Sequence, residues 1–204
     1  MMRRLISLLI LAAALPPPVA ARAGHPLSAA TSPARSGLPN DVTCVFAALG
    51  AEEREIALML IVDELEHGKP DHTGSPLLAE VDAMLAAAHD RCIDAYPWTA
   101  GRSANAVAWT SAALYREANA QAVSNSGQDP QVVADWFTAH RAEIGAGHRR
   151  AVLWFPALNK YLAGLGWGDA SSPAVGFADL YLGEMAAQEL MRRNFGRGVF
   201  EADD

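Results

Sequence analysis

The chain has 204 residues, 51% of them hydrophobic, and its 23 acidic and 16 basic residues give a formal net charge of −7. This length fits one domain with a sizeable core. The acidic balance argues against nucleic acid as a partner, because negative charge repels the phosphate backbone.

The first 23 residues have the pattern of a secretory signal peptide. Arg3 and Arg4 precede an apolar run, residues 5–15, that is too short to span a bilayer, and residues 21–23 supply a small-residue cleavage site. Cleavage removes three arginines and no acid, which leaves a net charge of −10. We therefore expect a periplasmic or secreted protein with no stable membrane anchor after cleavage. An uncut N-terminal anchor is the alternative.

Helical patterns dominate the rest of the chain. Residues 24–39 are rich in Pro, Ser, Gly and Ala and predict a flexible leader; residues 40–204 predict a single helical domain. No stretch alternates apolar and polar residues over the length of a strand. The fold class is therefore all-α, a bundle of about six or seven helices with mostly antiparallel neighbours. The predicted ranges are about 41–49, 51–67, 75–95, 101–123, 129–145, 149–164 and 172–194.

Three of these helices begin with Ser-Pro or Asp-Pro, a capping residue followed by proline at the first helical position. Gly50 is the predicted N-cap of the second helix. Pro156 falls inside the sixth predicted helix and is expected to kink or divide it.

Cys44 and Cys92 are the only cysteines, and an oxidising compartment favours a disulfide between them. Helices over residues 51–67 and 76–92 would each rise about 24 Å. An antiparallel pair therefore returns Cys92 to the level of Cys44, and we predict that the two are bridged. Two buried free thiols are the alternative; without Cys-x-x-Cys, a redox-active pair is not indicated.

The segment DELEHGKPDH, residues 63–72, concentrates acids and histidines at the end of a predicted helix. Glu64 and His67 share one helical face, and with His72 they are candidate metal ligands, since carboxylate and imidazole suit zinc and similar ions. The interpretation we favour is a helix end, in which His67 meets the terminal carbonyl groups and a glycine and a proline stop the helix. No metal or other cofactor is therefore predicted.

Catalytic signatures are incomplete in the sequence. Residues 101–105 begin like a nucleophile elbow but lack its second glycine and the preceding strand. The glycine-rich residues 164–173 lack the lysine of a phosphate-binding loop. His89, His140 and His148 are interpreted as surface or packed side chains. The aromatic residues of 96–109 and 152–161 are predicted to cover the core, with a ligand groove as the alternative.

Three functions follow from these patterns. The leading hypothesis is a non-enzymatic exported protein that uses its acidic surface or an apolar groove to bind a protein or small-molecule ligand. The first alternative is a metal-binding helical protein centred on Glu64 and His67. The second is a small exported hydrolase whose acid and base residues are dispersed along the sequence. The ligand and the oligomeric state are left open.

Overall fold

Seven α-helices make up most of the described chain, which in this computed structural model comprises residues 37–67, 75–146 and 152–200. These residues contain no strand and belong to one compact unit. The predicted all-α bundle is therefore confirmed. The predicted signal peptide, most of the predicted leader and His72 lie outside the described residues. In chain order the helices are α1 Cys44–Ala48, α2 Ala51–His67, α3 Pro76–Ala95, α4 Ala100–Asn125, α5 Gln131–Ala146, α6 Phe155–Gly164 and α7 Pro173–Arg197.

Capping interactions set where the helices begin. At α3 the Ser75 hydroxyl accepts a hydrogen bond from the Leu78 amide at 3.4 Å, and proline occupies the first turn. The Thr99 hydroxyl accepts from the Arg102 amide in the same way, so α4 begins just before its predicted start. At α2 the Gly50 amide donates to Glu53 Oε2 at 2.8 Å, which supports the predicted start of that helix.

The structure corrects the prediction for Pro156. The sequence predicted a helix over 149–164 that this proline would kink or divide, whereas α6 begins at Phe155 with Pro156 in its first turn. Amides in the first turn have no acceptor within the helix, so the missing N–H of proline costs nothing there. Pro156 therefore starts a helix. At the other end of the chain, α7 runs past its predicted end to Gly198, whose φ of 70° terminates it.

Two hydrophobic cores share α4 and α7, which form the most extensive helix pair of the described chain. Small buried residues are frequent on α4, among them Ala112, Ala113, Ala118 and Ala122, and small side chains let neighbouring helices approach closely. The first core lies among α1, α2, α3 and α4 and is covered by Phe195. The second lies among α5, α6, α7 and the end of α4. With 26 residues, α4 is about 39 Å long and spans both cores.

The predicted disulfide is present: Cys44 and Cys92 are bonded, with their Cα atoms 6.1 Å apart. Contacts at both ends show that α2 and α3 form an antiparallel hairpin. Arg91 Nη2 donates to Glu53 Oε2 at 2.9 Å beside the start of α2, and Ser75 contacts Glu64 near its end. The hairpin therefore returns Cys92 to α1 as the helix lengths require.

Aromatic side chains between α3 and α4 cover the first core, as predicted for this segment. The Tyr96 hydroxyl donates to the Leu38 carbonyl, and the Trp98 indole donates to Asn40 Oδ1 at 2.8 Å. The Trp98 ring meets Phe195 edge to face, with 5.2 Å between the ring centres. Among the described helices, none combines the length and the apolar character needed to cross a bilayer.

Candidate functional site

The candidate metal ligands at the end of α2 face different surroundings. His67 is exposed, and its Nδ1 lies 3.2 Å from Asp63 Oδ1. Glu64 is only 7% exposed, and its Oε2 accepts a hydrogen bond from Ser75 Oγ at 2.6 Å. Across the described ranges, no three His, Cys, Asp or Glu side chains are arranged to hold a metal ion. α2 ends at His67, with one buried carboxyl group, that of Glu64, in its last turn.

A groove of about 750 Å³ runs along the outer side of α2, with α1 on one side and α4 on the other. This volume is in the range of pockets that hold small ligands or the side chains of a docked peptide. The groove is lined by Phe46, Ala51, Arg54, Glu55, Leu58, Met59, Val62, Asp63, Glu66, Glu117 and Gln121.

The floor of the groove is apolar because α2 has more apolar residues than one buried face can use. Ala57, Ile61 and Glu64 form the stripe that faces the interior, at helical spacing. Leu58 and Val62 follow one position later along the helix; they pack partly against the first core and also border the groove. Met59 also lines the groove and is 62% exposed.

The rim of the groove is acidic. Four carboxylates, Glu55, Asp63, Glu66 and Glu117, line it against one cation, Arg54. The Arg54 guanidinium lies 5.0 Å from the centre of the Phe46 ring, so the cation is engaged by an aromatic face at the groove wall. The arrangement favours positively charged occupants with an apolar side.

A second polar group of residues lies between the helices, around Tyr115 on α4. Burial raises the pKa of Tyr115 to about 12, and the carboxyl groups of Glu184, Asp82 and Glu64 add to the increase. These three acids come from α7, α3 and α2. Burial raises the pKa of Glu184 to about 8 and also raises the pKa of Asp82. This burial favours the protonated, uncharged form of the Glu184 carboxyl group.

A third acid with a raised pKa, after Glu184 and Asp82, is Asp179 on α7, which faces α6. Burial raises its pKa to about 6, although a hydrogen bond from Asn159 Nδ2 at 3.2 Å acts in the opposite direction. The side chains of Asp82, Asp179 and Glu184 do not line the groove along α2. The acids with raised pKa values and the groove are therefore separate features of the molecule.

One Ser–His pair has the partners of a nucleophile and a base. His89 Nε2 on α3 is hydrogen-bonded to Ser103 Oγ on α4, and His89 Nδ1 lies 3.5 Å from Asp90 Oδ1. Acyl transfer also needs amide donors for the developing oxyanion. The Ser103 amide instead donates to the Thr99 carbonyl at 3.0 Å, and Asp90 is exposed to solvent. The pair is better explained as a contact that holds α3 against α4.

The sequence suggested an apolar groove without placing one along α2, and the polar group around Tyr115 was missed. A signal for the groove was present, because residues 56–62 are apolar on more than one helical face. The polar group had no such signal, since Glu64, Asp82, Tyr115 and Glu184 come from four helices. Only the packing of α4 against α7 and the α2–α3 hairpin brings them together.

No family model, no curated protein and no solved structure matches the chain. The function is therefore inferred from the chemistry of the described surfaces.

Proposed function

We propose that the chain is an exported, non-enzymatic binding protein whose groove along α2 holds a basic amphipathic segment of a partner protein. The observation that carries the proposal is the combination of an exposed apolar floor, which includes Met59, with a rim of four carboxylates. An amphipathic helix laid into such a groove would bury its apolar face on Leu58, Met59 and Val62.

The charge of the groove favours a basic partner over a neutral one. Lysine or arginine side chains flanking the apolar face of the partner would lie near Glu55, Asp63, Glu66 and Glu117. Such exposed ion pairs contribute mostly to association rate and selectivity, while the apolar contacts supply most of the affinity. We therefore expect binding that weakens as salt is added but is not abolished.

A binding role also agrees better with the groove than catalysis does. The acids whose pKa values are raised, Asp82, Asp179 and Glu184, are located away from it. A hydrolase would place such groups where the substrate binds. The groove offers recognition chemistry, namely apolar area and fixed negative charge.

Export is supported by the signal-like pattern of residues 1–23 and by the Cys44–Cys92 disulfide. We expect cleavage of the signal peptide after Ala23 to leave a mature chain that starts at Gly24. Cell fractionation followed by intact-mass measurement tests this. Recovery of the chain with its first 23 residues still attached, in the cytoplasmic fraction, would contradict the proposal.

Binding in the groove can be tested with a short model helix of lysine and leucine arranged on opposite faces. The control peptide has glutamate in place of every lysine. We expect the basic peptide to bind and to shift the NMR amide signals of α2 around Met59, while the acidic peptide binds far more weakly.

Variants of the groove separate the apolar and the electrostatic contributions to peptide binding. Met59→Glu places a charge on the apolar floor, and Glu55→Lys with Glu117→Lys reverses part of the rim; each should weaken binding of the basic peptide about tenfold or more. Glu80→Lys with Asp94→Lys, two exposed changes on α3, is the matched control for charge. Equal binding by all variants, or equal binding of the two peptides, would contradict the proposed function.

A further inference from the structure

The side chain of Met59 presents the most accessible oxidisable sulfur of the chain. Both cysteines are fully buried and are bonded to each other. Removal of the predicted signal peptide takes away the first two methionines and leaves Met59, Met84, Met185 and Met191. Met59 is 62% exposed, whereas Met185 is 9% exposed. Met84 packs against the first core, and Met191 is half-buried. An oxidant in solution therefore meets Met59 first.

Met59 is also the most exposed large apolar side chain on the floor of the groove along α2. Leu58 and Val62 are half-buried, because they pack partly against the first core. Glu55 and Asp63 lie one helical turn before and after Met59, and both line the groove. The chemical state of one thioether therefore determines how much apolar surface the floor presents to a partner.

We propose that Met59 is a site of reversible sulfoxidation that switches off binding in the groove along α2. The inference rests on the proposed function, because it concerns the regulation of that same site. In the forward step a lone pair of the sulfur attacks one oxygen of hydrogen peroxide. The S–O bond forms as the O–O bond breaks, and the second oxygen leaves as water with both protons. The sulfur loses two electrons, which reduce the peroxide.

The product changes the floor of the groove from apolar to polar. A thioether is soft and apolar, whereas a sulfoxide has an oxygen that accepts hydrogen bonds and donates none. The carboxylates of Glu55 and Asp63 beside it are acceptors as well, and the apolar face of a docked helix has no donor to offer. Binding would therefore remove water from the sulfoxide oxygen without replacing its hydrogen bonds. We expect the affinity for a basic amphipathic helix to fall about tenfold or more.

Graded oxidation of the full mature chain tests the proposal. The chain is treated with increasing hydrogen peroxide, catalase then removes the oxidant, and peptide mapping by mass spectrometry measures the conversion of each methionine. Binding is measured with the model helix of lysine and leucine, which contains no sulfur. We expect Met59 to be converted first and the fraction of binding-competent protein to fall in parallel with that conversion.

Variants assign the effect to Met59. Met59→Leu cannot form a sulfoxide, so peroxide should leave its affinity unchanged, whatever its starting value. Met59→Gln places a polar group at the same position and should bind about as weakly as the oxidised wild type. Met191→Leu removes a methionine that does not line the groove and is the matched control. It should lose affinity on oxidation as the wild type does.

Reversal shows whether the modification is a switch. Methionine sulfoxide reductases for both epimers, supplied with a dithiol, return the sulfur to a thioether, release the oxygen as water and convert the dithiol to a disulfide. Binding should recover after this treatment. An unoxidised sample given the same dithiol controls for reduction of the Cys44–Cys92 disulfide. Persistent loss of binding after Met59 has been reduced would contradict a reversible switch.

The outcomes separate this inference from the proposed function. Absence of peptide binding before any oxidant is added would reject both. If the untreated chain binds and conversion of Met59 leaves its affinity unchanged, the inference fails while the proposed function stands. Oxidation of another methionine as fast as Met59, or an equal loss of affinity in Met59→Leu, would also overturn it. Loss of helical circular dichroism on conversion of Met59 would do the same, because oxidation would then act on the fold.

Discussion

Ser75 Oγ lies 2.6 Å from Glu64 Oε2 and joins the end of α2 to the start of α3. The same oxygen accepts the hydrogen bond from the Leu78 amide that caps α3. One serine therefore begins a helix and also supplies a donor to a buried carboxyl group. The Ser75 hydroxyl therefore links the two helix ends that flank residues 68–74.

We expect Ser75→Ala to destabilise the fold by about 1–3 kcal/mol, because it removes both the cap and a hydrogen bond to buried Glu64. Urea unfolding followed by circular dichroism measures the change. Ser124→Ala is the matched control, because that exposed hydroxyl bonds only the Ala120 carbonyl of its own helix, and its effect should stay within about 0.5 kcal/mol. Equal effects of the two variants would show that the Ser75 contacts contribute little.

The disulfide should stabilise the fold by constraining the unfolded chain. Cys44 and Cys92 are 48 positions apart, and closing a loop of this length contributes about 2–4 kcal/mol. Replacing both cysteines with alanine should lower the unfolding free energy by that amount. A reductant should destabilise the wild type similarly and leave the double variant unchanged. The prediction would be contradicted if the reductant left the stability of the wild type unchanged although a count of free thiols showed that the disulfide had been reduced.

The sequence predicted those features that depend on local patterns. The helix start at Ser75 follows from capping chemistry, and the Cys44–Cys92 bridge follows from the lengths of two adjacent helices. The cap at Thr99 was not predicted, since the sequence placed the start of that helix at about residue 101. Pro156 was misassigned because its position relative to the start of α6 depends on packing against α7, which one segment does not reveal. The polar group around Tyr115 was beyond prediction, since its members are brought together from four helices.

The stability of the fold should depend on pH through Glu184. In the folded chain burial raises its pKa to about 8 from an ordinary value of 4.5. Between these two pH values the folded chain holds a proton that the unfolded chain has released. Stability therefore falls as pH rises through this window, by at most about 1.4 kcal/mol per pH unit from this group.

Glu184→Gln mimics the protonated side chain and should remove this contribution. We expect the variant and the wild type to have similar stability at about pH 4.5, and the variant to be more stable by about 1–4 kcal/mol at pH 8. Chemical denaturation at a series of pH values measures the difference between the two proteins. Glu80→Gln, an exposed change on α3, is the control and should give a nearly constant difference across the series. A difference between Glu184→Gln and the wild type that does not grow with pH would rule out a buried proton on Glu184.

Gly101 allows residues 198–200 to pack against the start of α4. A methyl group at Gly101 would lie 2.5 Å from the Gly198 carbonyl oxygen, which is backbone and cannot rotate away. Asn105 Nδ2 fixes the same contact by donating to the Gly101 carbonyl at 2.7 Å and to the Val199 carbonyl at 2.6 Å. The first turn of α4 and residues 198–199 are thus held together by the Asn105 side chain, which bridges their carbonyl groups.

We expect Gly101→Ala to destabilise the fold by about 1–3 kcal/mol, since the backbone of one segment must move to admit the methyl group. Gly176→Ala on α7 is the matched control, because no atom lies within 4 Å of its added methyl group. That change should stabilise the fold by about 0.5–1 kcal/mol through the higher helix propensity of alanine. Thermal and urea unfolding of the two variants should therefore shift in opposite directions. Stabilisation by Gly101→Ala would mean that residues 198–199 are not held against α4 in solution.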